Sequence, residues 1–115
     1  MIDFDFGDVV LVPFPFTDQS SIKKRPAVVV SSTTYNRDRP DIIILAVTSQ
    51  IAAPSQIGTF LVKDWKAAGL LKPSVVKPII TTLQKTLVKK KLGRLIGQDI
   101  ERLQDALQSI FGDRS

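Results

Sequence analysis

The sequence predicts a small, mainly β protein, a barrel or curled sheet with one helix at its C-terminal end. Apolar runs rich in β-branched residues are short and follow one another closely, which is the spacing of all-β folds rather than of alternating strand–helix units. Near the C-terminus, by contrast, apolar residues recur at helical spacing. A chain of 115 residues suits one compact domain over 1–115, since two halves would each be too small for a good core.

In chain order, Gly7 precedes a short apolar strand at 8–13, and a turn-rich stretch follows at 17–21. Runs 26–31 and 41–48 are dense in Val, Ile and Leu and read as buried central strands. The segment between them, 33–40, reads as a polar loop. A fourth strand is expected at 58–62 and a fifth at 74–80, where Pro78 marks an edge position or a bulge. Residues 63–69 read as one or two helical turns ended by Gly69. Ile100, Leu103, Leu107, Ile110 and Phe111 then fall on one helical face, with Asp99 and Glu101 in the first turn and Gly112 as the stop.

Composition excludes much chemistry. The chain has no Cys and no His, so thiol nucleophiles, the usual zinc sites and imidazole acid–base catalysis are ruled out. No metal site and no cofactor are expected. No apolar run approaches a membrane span, and no N-terminal secretory pattern is present, so a cytoplasmic location is the expectation. The net charge of +5 is unevenly spread: residues 1–22 hold four Asp and no base, whereas 63–94 hold nine Lys or Arg against Asp64 alone. Such a stretch favours nucleic acid or acidic protein partners, although a basic stretch alone is more often a solvated surface.

Three segments carry more than pattern. Gly7-Asp-Val-Val-Leu-Val-Pro-Phe-Pro-Phe-Thr-Asp18, Lys24-Arg-Pro-Ala-Val-Val-Val-Ser31 and Ala46-Val-Thr-Ser49 closely resemble the MazF/PemK toxin family. Gly69-Leu-Leu-Lys-Pro-Ser-Val-Val76 and Lys91-Leu-Gly-Arg-Leu95 also look like family segments. Each piece is weak alone, but together they stand in family order along nearly the whole chain. The resemblance implies an SH3-like curled β-barrel with a C-terminal helix, assembled as a homodimer. It also implies a toxin of a type II toxin–antitoxin system: an endoribonuclease that cuts single-stranded RNA by attack of the 2′-OH, yields a 2′,3′-cyclic phosphate, and is inhibited by an acidic antitoxin. A related branch uses the same barrel to bind DNA gyrase without catalysis. That alternative stays open, as does an inactive RNA-binding module, because fold alone does not separate them.

The residues suit the nuclease reading. Attack by the 2′-OH requires no protein nucleophile, only alignment and stabilisation of charge on the phosphate oxygens. A guanidinium donates two parallel hydrogen bonds and keeps its charge, and Arg25, held extended by Pro26, stands at a strand start. Thr48 and Ser49 end a neighbouring run and offer hydroxyls to a phosphate or leaving oxygen. Arg25, Thr48 and Ser49 are therefore the candidate catalytic residues, although in isolation a strand-start Arg and a Thr-Ser strand end are usually surface charge and turn chemistry. Lys23, Lys24, Phe16, Tyr35, Lys72 and Ser74 are the candidate RNA-binding residues, with Phe16 and Tyr35 as base-stacking candidates. Phe14 and Trp65 are read as core, and Lys89-Lys-Lys91 as a basic patch or as edge protection. Some family members place a histidine near the cleft; this chain has none, which leaves the general base open.

Overall fold

A computed structural model describes residues 3–14, 23–50 and 56–112. Its strands are β1 (Asp8–Phe14), β2 (Lys23–Val29), β3 (Asp41–Thr48), β4 (Phe60–Leu61), β5 (Val75–Gln84) and β6 (Lys90–Arg94), with helices α1 (Thr33–Asp38) and α2 (Gln98–Ile110). All strand pairs are antiparallel, in the order β4-β5-β3-β2-β1-β6. The result is the curled sheet with a C-terminal helix that the sequence implies.

The dense apolar runs follow from burial on both faces. Val9, Val28, Leu45 and Val76 face a core closed by Leu103 and Ala106 of α2, together with Val62, Ala68 and Leu70. Their alternating neighbours Val10, Ala27, Val29 and Ile44 face a second core with Phe4, Ile42 and Leu83. With period-two side chains and two buried faces, no polar alternation survives in β1 to β3. Pro78 falls at a bulge, one of its two expected settings, in a strand that is not an edge of the sheet. The β3–β5 register shifts between Leu45 and Val47, and β4 pairs β5 only at Val75 and Val76, so no β4 partner needs the missing N–H of Pro78.

Three local expectations require correction. Residues 33–38 form α1, not a loop: Ser32 Oγ caps the Tyr35 N–H at 3.1 Å. The buried Asn36 side chain donates to the carbonyls of Phe4 at 2.8 Å and Ser31 at 3.1 Å. A polar six-residue helix has no apolar period to reveal it. Residues 63–69 instead form hydrogen-bonded turns rather than a helix, though Gly69 does end them with φ 87°. Phe111 lies beyond the helical face as the C-cap of α2 and is exposed.

Asp99 holds those turns in place. Fully buried at the start of α2, it accepts the backbone N–H groups of Lys63 and Asp64, both at 2.9 Å. Asp99→Ala would leave two part-buried N–H donors without their acceptor, and we expect a loss of about 1–3 kcal/mol, measured by chemical denaturation. An unchanged midpoint would mean water replaces the carboxylate without cost.

Candidate functional site

The β2–β3 register pairs Ala27 with Ala46; continued outward by two residues, it sets Arg25 opposite Thr48. Opposed residues of an antiparallel pair share a face, so the start of β2 and the end of β3 bring these two side chains to one place. There they line a cleft of about 500 Å³ with Ser49, Lys24, Pro26, Leu11, Lys72, Ser74, Lys90 and the backbone turn at Gly69–Leu71. A smaller hollow of about 180 Å³ adjoins it, bounded by Phe14, Arg25, Thr48 and Gln50.

The cleft is electrostatically one-sided. Four cations (Lys24, Arg25, Lys72 and Lys90) line it, and among the described residues no carboxylate does. None of the four enters an ion pair among the described residues. Three acidic side chains are paired elsewhere: Asp8 with Lys91 at 3.1 Å, Asp5 with Arg94 at 4.0 Å, and Asp41 with Arg39 at 3.2 Å. Uncompensated positive charge converging on a concave surface is a device for binding anions.

Arg25 is positioned by an aromatic partner. Val12 pairs with Arg25 across β1–β2, which makes Phe14 its diagonal neighbour on the same face, and the guanidinium lies 5.5 Å from the Phe14 ring centre. A guanidinium held against a ring keeps its N–H groups available to an anion. Phe14, which the sequence assigns to the core, is exposed and belongs to the site. The sequence cue lay in the cross-strand register, which only the pairing reveals.

Other candidates separate into groups. Lys24, Lys72, Ser74, Thr48 and Ser49 all line the cleft. The Ser74 hydroxyl is buried and donates to the Lys72 carbonyl at 2.8 Å, so it braces the wall instead of reaching outward. Thr48 Oγ1 accepts the Gln50 N–H at 3.1 Å, which leaves its own proton available to a ligand. Lys23 opens β2, exposed and outside the cleft lining. Phe16 lies outside the described residues. Tyr35 is not brought to the cleft. It sits on α1, donates to Asp41 at 3.0 Å and packs under Arg39. The Arg39 hydrogen bond, aided by that from Tyr35, holds the Asp41 carboxyl below its ordinary range. Lys90, read only as part of a patch, is in fact a wall of the cleft.

Gly69 and Gly93 build that wall by backbone-to-backbone contact. A Cβ at Gly69 would stand 2.0 Å from the Leu92 carbonyl oxygen, and one at Gly93 would stand 2.3 Å from that of Ala68. The turn at 63–69 therefore lies directly on β6, and the chain leaving it runs along the cleft. Among the described residues, no group of three potential ligands is placed to hold a metal ion, and no helix is long and apolar enough to cross a membrane.

Residues 5–111 match the family of PemK-like, MazF-like toxins of type II toxin–antitoxin systems. Solved structures of similar shape include a MazE–MazF structure from Deinococcus radiodurans (TM-score 0.75, 18% identity, covering 97% of this chain and 98% of that one). A mycobacterial endoribonuclease in complex with its cognate antitoxin gives a TM-score of 0.71 at 19% identity, covering 90% of this chain and 89% of the other. A further mycobacterial endoribonuclease gives 0.72 at 19% identity, covering 93% and 89%. At these identities the likeness is one of fold.

Proposed function

Because the chain belongs to the PemK-like, MazF-like toxins of type II toxin–antitoxin systems, we propose that it is an endoribonuclease that cuts single-stranded RNA without a metal ion. The observation that carries this reading is the cleft in which Arg25, Thr48 and Ser49 converge among lysines, with no carboxylate among the described lining residues. Such a site binds a phosphodiester and stabilises added negative charge.

The reaction follows from what the cleft contains. The substrate's 2′-oxygen attacks the adjacent phosphorus and the bond from phosphorus to the 5′-oxygen breaks. A 2′,3′-cyclic phosphate and a 5′-hydroxyl result. Arg25, held by Phe14, directs two parallel N–H groups at the non-bridging oxygens, whose charge rises in the pentacoordinate transition state. Thr48 and Ser49 donate to the phosphate or to the departing 5′-oxygen. Lys24 and Lys72 hold flanking phosphates. With no imidazole in the chain and no carboxylate among the described residues of the cleft lining, the 2′-OH proton goes to solvent and the 5′-oxygen takes one from it.

The expected partner is an acidic antitoxin that competes with RNA for the same basic surface; one structural neighbour is an endoribonuclease in complex with its cognate antitoxin. We also propose a homodimer, for which exposed Leu61, Ile79 and Ile80 on β4 and β5 offer apolar surface. Incubation with labelled RNA tests the activity. Cleavage is expected to persist in EDTA and to vanish when the nucleotide 5′ to the cut is 2′-deoxy. Activity that requires magnesium, or that cuts the deoxy strand, would indicate hydrolysis by water instead. A toxin directed at DNA gyrase would leave every RNA intact.

A further inference from the structure

A second basic groove lies on the far side of the sheet edge. It has a volume of about 370 Å³ and is lined by Phe4, Lys85, Thr86, Val88, Lys89, Lys90 and Lys91, again with no carboxylate among the described residues. Lys90 also lines the Arg25 cleft, so the two concavities meet at one side chain. β6 is the terminal strand of the sheet, and successive residues of a strand point to opposite faces. Lys90, paired with the cleft residue Leu11, thus looks into the cleft while Lys91 looks away from it, and Lys89, just before the strand, lines the second groove.

The lysines of this groove are not equivalent. Lys91 is neutralised by Asp8 at 3.1 Å, and the Lys85 amine is held by the Asn36 carbonyl at 2.6 Å. Lys89 is exposed and enters no ion pair among the described residues. Building on the RNA reading of the cleft, we infer that the RNA strand continues over the lysine edge of β6, with the next phosphates held in this second groove chiefly by Lys89. A single strand's width, about 5 Å, separates the two faces, a short step for a flexible nucleic-acid backbone. An acidic polypeptide fits less well. The lysines of the groove stand along a ridge, which suits a regularly charged backbone better than the unevenly spaced carboxylates of a polypeptide.

Binding of uncleavable 2′-O-methyl oligonucleotides tests this, using pools about 5 and about 15 nucleotides long, a range that brackets single-strand site sizes. Lys89→Glu and Thr86→Glu are exposed changes outside the Arg25 cleft, and circular dichroism verifies their folding. Each is expected to weaken the longer pool roughly tenfold and to flatten its salt dependence by about 0.7 in slope, with the shorter pool unaffected. Equal losses at both lengths would indicate only a general field effect and overturn the inference. No loss at either length would overturn it too, while leaving the cleft as the RNA site. Release of an acidic antitoxin with both pools still bound would assign the groove to the protein partner and sink the RNA path. Failure of the wild type to bind either pool would remove the RNA reading itself.

Discussion

Arg25→Lys is expected to keep the fold and to lower the RNA-cleaving kcat by about 10²–10³, the scale of one lost oxyanion-type donor. Net charge is unchanged, so the loss measures geometry. A lysine offers a point charge in place of two parallel N–H groups, and it does not reproduce the guanidinium's contact with the Phe14 ring at 5.5 Å. Arg25→Ala should fall further, because it removes the charge as well. Single-turnover cleavage with saturating enzyme separates this chemical effect from weaker binding. If Arg25→Ala cleaves at the wild-type rate, the assignment of the cleft as the catalytic site is wrong.

The second large effect is structural. Gly69→Ala must hold φ at 87° with a Cβ only 2.0 Å from the Leu92 carbonyl oxygen. Neither component relaxes easily, since the obstacle is backbone in a paired strand rather than the end of a side chain. We expect a loss of about 3 kcal/mol or more and a fall in Tm of roughly 10 °C or more. Gly112 is the matching control: nothing lies within 4 Å of its Cβ position, so Gly112→Ala should stay within about 0.5 kcal/mol. Scanning calorimetry of the pair decides it. Equal melting temperatures would show that the turn at 63–69 lifts away from β6 without cost. Because that turn leads into the cleft wall at Leu70–Lys72, activity should fall along with stability.

What the sequence revealed and what it hid have separate physical causes. Strands β1, β2 and β3 were legible because burial on two faces forces unbroken apolar runs, and α2 because one buried face forces a helical period. β6 was not legible as a strand. Lys90-Lys-Leu-Gly-Arg94 is strand only because β1 offers it hydrogen-bonding partners, with Asp8 opposite Arg94 and Leu11 opposite Lys90. That pairing is a long-range contact without a local signature. α1 was hidden because side-chain hydrogen bonds hold it, not an apolar face. In the candidate site, Arg25, Thr48, Ser49, Lys24 and Lys72 came from ordered motifs resembling a family, and the chain brings them to one cleft. Phe14 and Lys90 join them only through strand register. Tyr35 was misplaced because Asp41 gives its hydroxyl a nearer acceptor.

The order of strands in the sheet differs from their order in time. β2 and β3, which carry Arg25 and Thr48, are neighbours in both. The wall that closes the cleft belongs to β6, which pairs with the first strand of the chain and is translated last among the strands. At about 5–20 residues per second, roughly two to nine seconds separate the synthesis of Thr48 from that of Arg94. During that interval β1 is an open edge, Gly69 has no Leu92 to rest on, and the cations at the start of β2 face no opposing wall. A nascent chain is therefore an incomplete site for most of its synthesis, and the cleft assembles as one of the final events of folding.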